Sequence, residues 1–285
     1  MKYFLSWGDL FKCQTNLFTK NLFEFMYLKL YKQFAVLLTM TALSMSAMAG
    51  ESKPEKNRTP AKFYFLGNVG LYLGVIDETV NDFISAAADK KVERLVITSQ
   101  GGDAHFGIVF GHWVYDNQIE VEVPSLCMSS CANYVFTAAK RKTIRPSALV
   151  IWHGSAEQWN IREINKKYED YLALYLTGKA SADQMTYLDS DKLRYEGSNQ
   201  LLSEQRQFFK KINVNEYVTR LGHEPVFYDR VWVATVGVMN KMNIQNITVP
   251  EGYANIDYLQ KHHPDRMDRL VSFGLDAQGE IKKLD

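Results

Sequence analysis

Between Leu95 and Trp152 short apolar runs alternate with stretches of helical spacing, and this alternation leaves the chain few folds. Leu95–Thr98 and Ala148–Trp152 are apolar and rich in branched residues, while Ile119–Val123 alternates apolar with acidic positions. Such runs predict strands. Phe106–Trp113 and Cys131–Ala139 have helical character between them. Upstream, Lys62–Val69 predicts a first strand closed by a glycine turn, and Ile76, Val80, Phe83, Ile84 and Ala87 space a helix over 76–88. Strand–helix–strand order implies an α/β fold with a largely parallel sheet. Residues 155–222 differ in texture, being rich in Glu, Lys, Gln and Tyr with stripes such as Ile161, Ile164, Tyr168, Tyr171, Leu172 and Tyr175. They predict a helical insertion that covers or extends a site or mediates subunit contacts; a plain hairpin packed on the sheet fits the pattern equally. Val231–Asn240 predicts a further helix and Ile244–Val249 a closing strand. The main domain thus runs over 62–250, followed by a C-terminal extension, 251–285, whose last ten residues read as loosely held.

Sites on such sheets form at the carboxyl ends of the strands. Three features fall there. Gln100-Gly101-Gly102 can turn backbone N–H groups toward a developing oxyanion, Ser130 opens a helix, and His153 ends the next apolar strand. A serine hydroxyl is a poor nucleophile until an adjacent base takes its proton, so Ser130 and His153 together read as an acyl-transfer pair. The plainer readings are a helix N-cap for Ser130 and a satisfied strand-end histidine for His153; Ser129 is the neighbouring competitor as nucleophile. His262-His263-x-Asp265 offers only three potential ligands, and no metal or cofactor is expected. His112 and His223 carry no assigned chemistry, and His105 sits close enough to the glycine turn to line a pocket. Lys140-Arg141-Lys142 reads as a solvated helix end, with cations favoured by the dipole.

Composition bounds the partners. At 46% hydrophobic and 13% aromatic residues the chain fills a core, and its net charge of +1 with no basic stripe excludes a nucleic-acid binder. Lys29 and Lys32 precede an apolar run, Phe34–Met45, followed by Ala47-Met48-Ala49. This predicts a signal peptide over 1–49 cut after Ala49, and a periplasmic or secreted protein. The apolar run is too short to span a bilayer, which makes a retained anchor the lesser reading. Met26 is an alternative start, and 50–61 reads as a flexible leader. After cleavage two cysteines remain, Cys127 and Cys131. In an oxidising compartment they form a disulfide if Cys127 ends a strand and Cys131 starts a helix; otherwise they are two buried thiols.

Several segments resemble one family. Phe65-Leu-Gly-Asn-Val69 is similar to its opening strand, Thr98-Ser-Gln-Gly-Gly102 to its Ser-Pro-Gly-Gly turn, and Ser130–Ala139 to its nucleophile helix. Arg145–His153 is similar to the strand ending in its histidine, and Tyr228–Ala234 to the segment carrying its third triad member. The family is the Clp protease proteolytic subunit and its relatives in the crotonase-like superfamily, exported bacterial members of unassigned role among them. The resemblance implies a repeated β-β-α spiral with a helical insertion. It also implies Ser130 as nucleophile, His153 as base, Asp229 as the group orienting the imidazole, and an oxyanion hole from the N–H groups of Gly102 and Cys131. Asp103, Glu157 and Asp189 are the rivals of Asp229, which otherwise caps a helix before Val231. The chain departs from the pattern in Cys131 for methionine, Gln100 for proline, the longer gap from His153 to Asp229, and the export signal. Export removes the ATP-driven unfoldase, leaving a free-standing serine peptidase acting on peptides or unfolded segments, expected as a homo-oligomer. The alternatives are a catalytically degenerate scaffold that binds partners, and an acyl-thioester-binding enzyme using the same N–H pair.

Overall fold

A computed structural model describes residues 61–227 and 231–284. The expected signal peptide, the leader up to Pro60 and Asp229 lie outside the described residues.

The chain forms β1 (Lys62–Leu66), turns at Gly67, and returns antiparallel as β2 (Val69–Leu73). From β2 onward a unit recurs. A strand enters a long sheet, a shorter extended piece turns into a second layer, and a helix crosses back. The first unit continues through Ile76 into α1 (Thr79–Ala87). The second runs from β3 (Arg94–Thr98) through Ser99 and Gly102 into α2 (Ala104–Asp116). The third runs from β4 (Glu120–Val123) through β5 (Leu126–Met128) into a π-helix (Cys131–Phe136). The fourth comprises β6 (Lys142–Ile144), β7 (Leu149–Ile151) and a helical hairpin, α3 (Trp159–Leu176) and α4 (Ala182–Ile212). After them come β8 (Trp232–Ala234), α5 (Val236–Lys241), β9 (Ile247–Thr248), α6 (Ile256–His262), β10 (Val271–Leu275) and β11 (Ile281–Leu284). The long sheet has the order β1-β2-β3-β4-β6-β9, parallel from β2 onward. Parallel bridges Ile76–Gly102 and Ser99–Cys127, the β5–β7 pair and the antiparallel bridge Trp152–Trp232 make the second layer. This is the repeated β-β-α spiral with a largely parallel sheet and a helical insertion.

The sequence explains the layering. In β4 the buried Val121 and Val123 face the core, while Glu120 and Glu122 meet Arg94, Arg141 and Arg145 on the other face. β7 is buried throughout, as its unbroken Leu-Val-Ile run requires of a strand covered on both faces. Tyr72, Phe83 and Phe110 pack edge-on or tilted at 5.2–5.9 Å between α1, α2 and the sheet.

Four expectations are corrected. Val231–Asn240 is not one helix: Trp232–Ala234 is a buried strand pairing with β10, and only α5 is helical. Tryptophan beside two valines suits a strand, and pairing with Trp152 and β10 overrides the short-range pattern. The last ten residues are not loose, since β11 pairs antiparallel with β10. The basic run is not wholly solvated: Lys142 lies buried in β6 and donates to the Ala139 carbonyl at 2.6 Å, and burial lowers its pKa to about 8. His105 is not among the residues that border the cavity shared by Ser130 and His153; it pairs with Glu204 at 2.8 Å.

The insertion packs and covers at once. The C-terminal part of α4 buries Phe208, Phe209 and Ile212 against the core, and Gln205 accepts from the Tyr134 hydroxyl at 2.9 Å. Its middle lies against α3, where Tyr168 stacks on Tyr195 at 4.2 Å.

Candidate active site

Ser129 turns the chain from β5 into the π-helix with a φ of +60°, a left-handed conformation costly for a residue with a side chain. Two bonds hold it there. Its N–H donates to the Ile151 carbonyl at 3.0 Å, and its carbonyl accepts from the Asn133 N–H at 2.8 Å. The bend brings the Cα atoms of Cys127 and Cys131 to 5.3 Å, and the two are joined in a disulfide. Ser130 sits between them, 3% exposed. Its side chain makes no capping bond to the helix, and its buried Oγ has no hydrogen-bond partner among the described residues. The plain N-cap role is therefore not realised; the hydroxyl is left free for another partner.

The glycine turn closes on this element. An added Cβ on Gly101 would come within 2.5 Å of the Met128 oxygen and the Ser129 Cβ, and one on Gly102 would overlap the Ile76 carbonyl oxygen. Both residues have positive φ, +86° and +156°. The Ile76 N–H donates to Gly101 at 3.0 Å, and the Asp103 N–H donates back to Ile76 at 2.8 Å. The N–H groups of Gly102 and Cys131 donate to no acceptor among the described residues.

Ser130, Gly102 and His153 border one cavity of about 510 Å³. Ser129, Asn133, Ala104 and Gly154 line the same space, and Ile161, Ile164, Gly197 and Leu201 of the hairpin form its far wall. No hydrogen bond joins Ser130 to His153, a contact that in ligand-free sites often tightens only when substrate arrives. His153 follows the Trp152–Trp232 bridge, whose two N–H···O bonds are each 2.9 Å. Its carbonyl accepts from Nε2 of His223 at 2.8 Å, which assigns the proton of His223 to that nitrogen. Desolvation at the cavity wall holds the His153 imidazole below its usual pKa.

If His153 is the base of a hydrolase, that shift gives the direction of the pH response. A base must be neutral to accept a proton, and desolvation keeps His153 neutral to a lower pH than an ordinary histidine. On that reading, hydrolysis of a chromogenic ester is expected to rise with pH along an acid limb whose midpoint lies below 6.5. In a kcat/KM profile, a midpoint above 6.5 contradicts the assignment of His153 as base.

No carboxylate among the described residues is hydrogen-bonded to His153. Asp103 accepts from the Phe106 N–H at 3.1 Å as the N-cap of α2, Glu157 pairs with Nε of Arg206 at 2.5 Å, and Asp189 is exposed on α4. Also among the described residues, no three His, Cys, Asp or Glu side chains converge as metal ligands. His262 meets Ser147 at 3.2 Å instead.

Sequence reasoning passed over three residues. His223 steadies the His153 backbone, yet a lone histidine among scattered ones gives no signal. Asn133, buried, donates from Nδ2 to the Gly154 carbonyl at 2.9 Å and leaves Oδ1 without a partner. An asparagine three residues after Ser130, inside an otherwise apolar helical stretch, was the available hint. Gly197 gave another, a glycine inside a helical pattern.

The disulfide closes a short loop, for which chain-entropy arguments give about 2 kcal/mol of stabilisation. Urea titration of the Cys127→Ala, Cys131→Ala double variant is expected to show a loss of about that size. An unchanged midpoint means that the bond does not hold the loop.

No protein-family profile matches the chain, and no curated protein matches it. Among solved structures it is similar to Pseudomonas aeruginosa DspI, at 12% identity and TM-score 0.27, over 35% of this chain and 55% of that one. It is similar to an enoyl-CoA hydratase from Mycobacterium avium subsp. paratuberculosis K-10, at 10% identity and TM-score 0.29, over 57% and 94%. A methylmalonyl CoA decarboxylase complexed with 2S-carboxypropyl CoA matches at 6% identity and TM-score 0.26, over 34% and 49%. The chain spans about half the length of the first and third of these structures.

Proposed function

We propose that the chain is a serine hydrolase that cleaves peptides or unfolded protein segments through an acyl-enzyme, with Ser130 as nucleophile, His153 as base and Asp229 as the orienting carboxylate. One observation carries the reading. An unpartnered, buried Ser130 hydroxyl borders the same cavity as His153 and Gly102, and the N–H groups of Gly102 and Cys131 have no acceptor among the described residues. In the reaction Ser130 Oγ attacks the substrate carbonyl as His153 takes its proton. The two N–H groups receive the oxyanion, and His153 then protonates the leaving amine. Water, activated by the same imidazole, releases the acyl group.

The Cys127–Cys131 disulfide supports work in an oxidising compartment, as the N-terminal export pattern leads one to expect. A fluorophosphonate probe tests the chemistry, because it phosphonylates an activated serine. Labelling of wild type that disappears in Ser130→Ala and in His153→Ala supports the assignment. Labelling that persists in Ser130→Ala, or never occurs in folded wild type, sinks it.

A second reading draws on the missing Ser130–His153 bond. The N–H pair alone polarises a thioester carbonyl, so an acyl-thioester-binding enzyme needs no nucleophile here. Saturable binding of an acyl-coenzyme A to wild type, unaffected by Ser130→Ala, would favour it.

A further inference from the structure

Gly197 stands at the middle of α4, a 31-residue helix, where glycine costs about 1 kcal/mol relative to alanine. Two usual reasons for a helical glycine are missing. A Cβ placed there meets no atom within 4 Å, so no neighbour packs too closely for a side chain, and the backbone is not in the left-handed region. What Gly197 does border is the cavity shared with Ser130 and His153. The hairpin wall around it is mostly apolar: Ile161 and Ile164 on α3 and Leu201 one turn further along α4, with Asn165 and Ser198 among them bonded to each other at 3.0 Å. Arg194, on the same wall, is already paired with Asp191 at 2.5 Å and so does not demand an anionic guest.

We propose that the helical hairpin is the specificity wall of the site, that it receives an aliphatic group on the acyl side of the scissile bond, and that the missing side chain of Gly197 sets how long that group can be. The proposal rests on the hydrolase reading above. It names the substrate class: carbonyl compounds whose acyl portion carries several methylenes, supplied by a leucine-like peptide side chain or by a free acyl chain. Burying each methylene is worth roughly a fourfold gain in transition-state binding while the wall has room. A side chain at 197 occupies that room and removes the gain for the longer groups first.

Two substrate series tell the sources apart: p-nitrophenyl acetate, butyrate, hexanoate and octanoate, and peptide p-nitroanilides with Ala, Val or Leu on the acyl side. For wild type, kcat/KM is expected to climb along at least one series by roughly tenfold or more. In Gly197→Leu the ratio of longest to shortest substrate falls at least tenfold, and in Leu201→Ala it rises. Because each ratio is taken within one protein, a partly folded variant does not distort it. A flat wild-type series with Ser130-dependent turnover overturns the specificity wall and leaves the hydrolase standing. An unchanged ratio in both variants does the same. Absence of any hydrolysis together with absence of Ser130-dependent probe labelling overturns both.

Discussion

Replacing Ser130 by alanine is expected to lower kcat by about 10⁴- to 10⁶-fold, the range seen when the nucleophile is taken from an acyl-transfer site. The structure makes this a clean experiment. The Ser130 hydroxyl holds no hydrogen bond among the described residues, so its removal strands no donor or acceptor there. Thermal stability is therefore expected to stay within about 0.5 kcal/mol of wild type or to rise slightly. The combination is diagnostic: a serine kept for structure would show the opposite, a loss of stability with activity roughly retained. Steady-state kinetics on a chromogenic ester, paired with a melting curve, reads both quantities. A fall in kcat of less than tenfold would move the nucleophile elsewhere, with Ser129 the nearest hydroxyl in sequence.

The second large effect is expected at Gly102. Its φ of +156° and the overlap of any Cβ with the Ile76 carbonyl oxygen mean that Gly102→Ala must shift the turn. The N–H of residue 102 moves with it. Loss of one oxyanion donor costs about 10²- to 10³-fold in kcat, and that is the fall expected here. Substrate binding in the ground state depends far less on the donor, so KM should change much less than kcat. Fluorophosphonate labelling should slow in parallel, because its transition state needs the same donor. If kcat holds while the melting temperature drops, Gly102 serves the turn and not the chemistry.

Much of the frame could be read directly. The strands Arg94–Thr98, Glu120–Val123 and Leu149–Ile151, helix α2 and the glycine turn fall where apolar periodicity put them, because each buries its own local pattern. The helical hairpin was visible for the same reason. Trp232–Ala234 was not, since its extended form is imposed by Trp152 and β10, which are distant in sequence. Lys142 shows the same limit. A lysine between a basic pair and a branched strand reads as solvated, and only the approach of β9 and the carbonyls of Ala139 and Gln245 turns it inward.

The amino-acid order by itself determined which groups can react: a serine between two cysteines, a histidine closing an apolar strand, and two glycines free to adopt backbone conformations closed to other residues. Such properties belong to single residues and their immediate neighbours. The tertiary structure alone decided that Ser130, His153 and Gly102 border one cavity, that the Ser130 hydroxyl goes unclaimed by its own helix, and that the hairpin supplies part of the wall. One cavity thus gathers positions about a hundred residues apart, as Gly102 and Leu201 are. They are fixed by how whole layers bury their apolar faces, which no local pattern encodes.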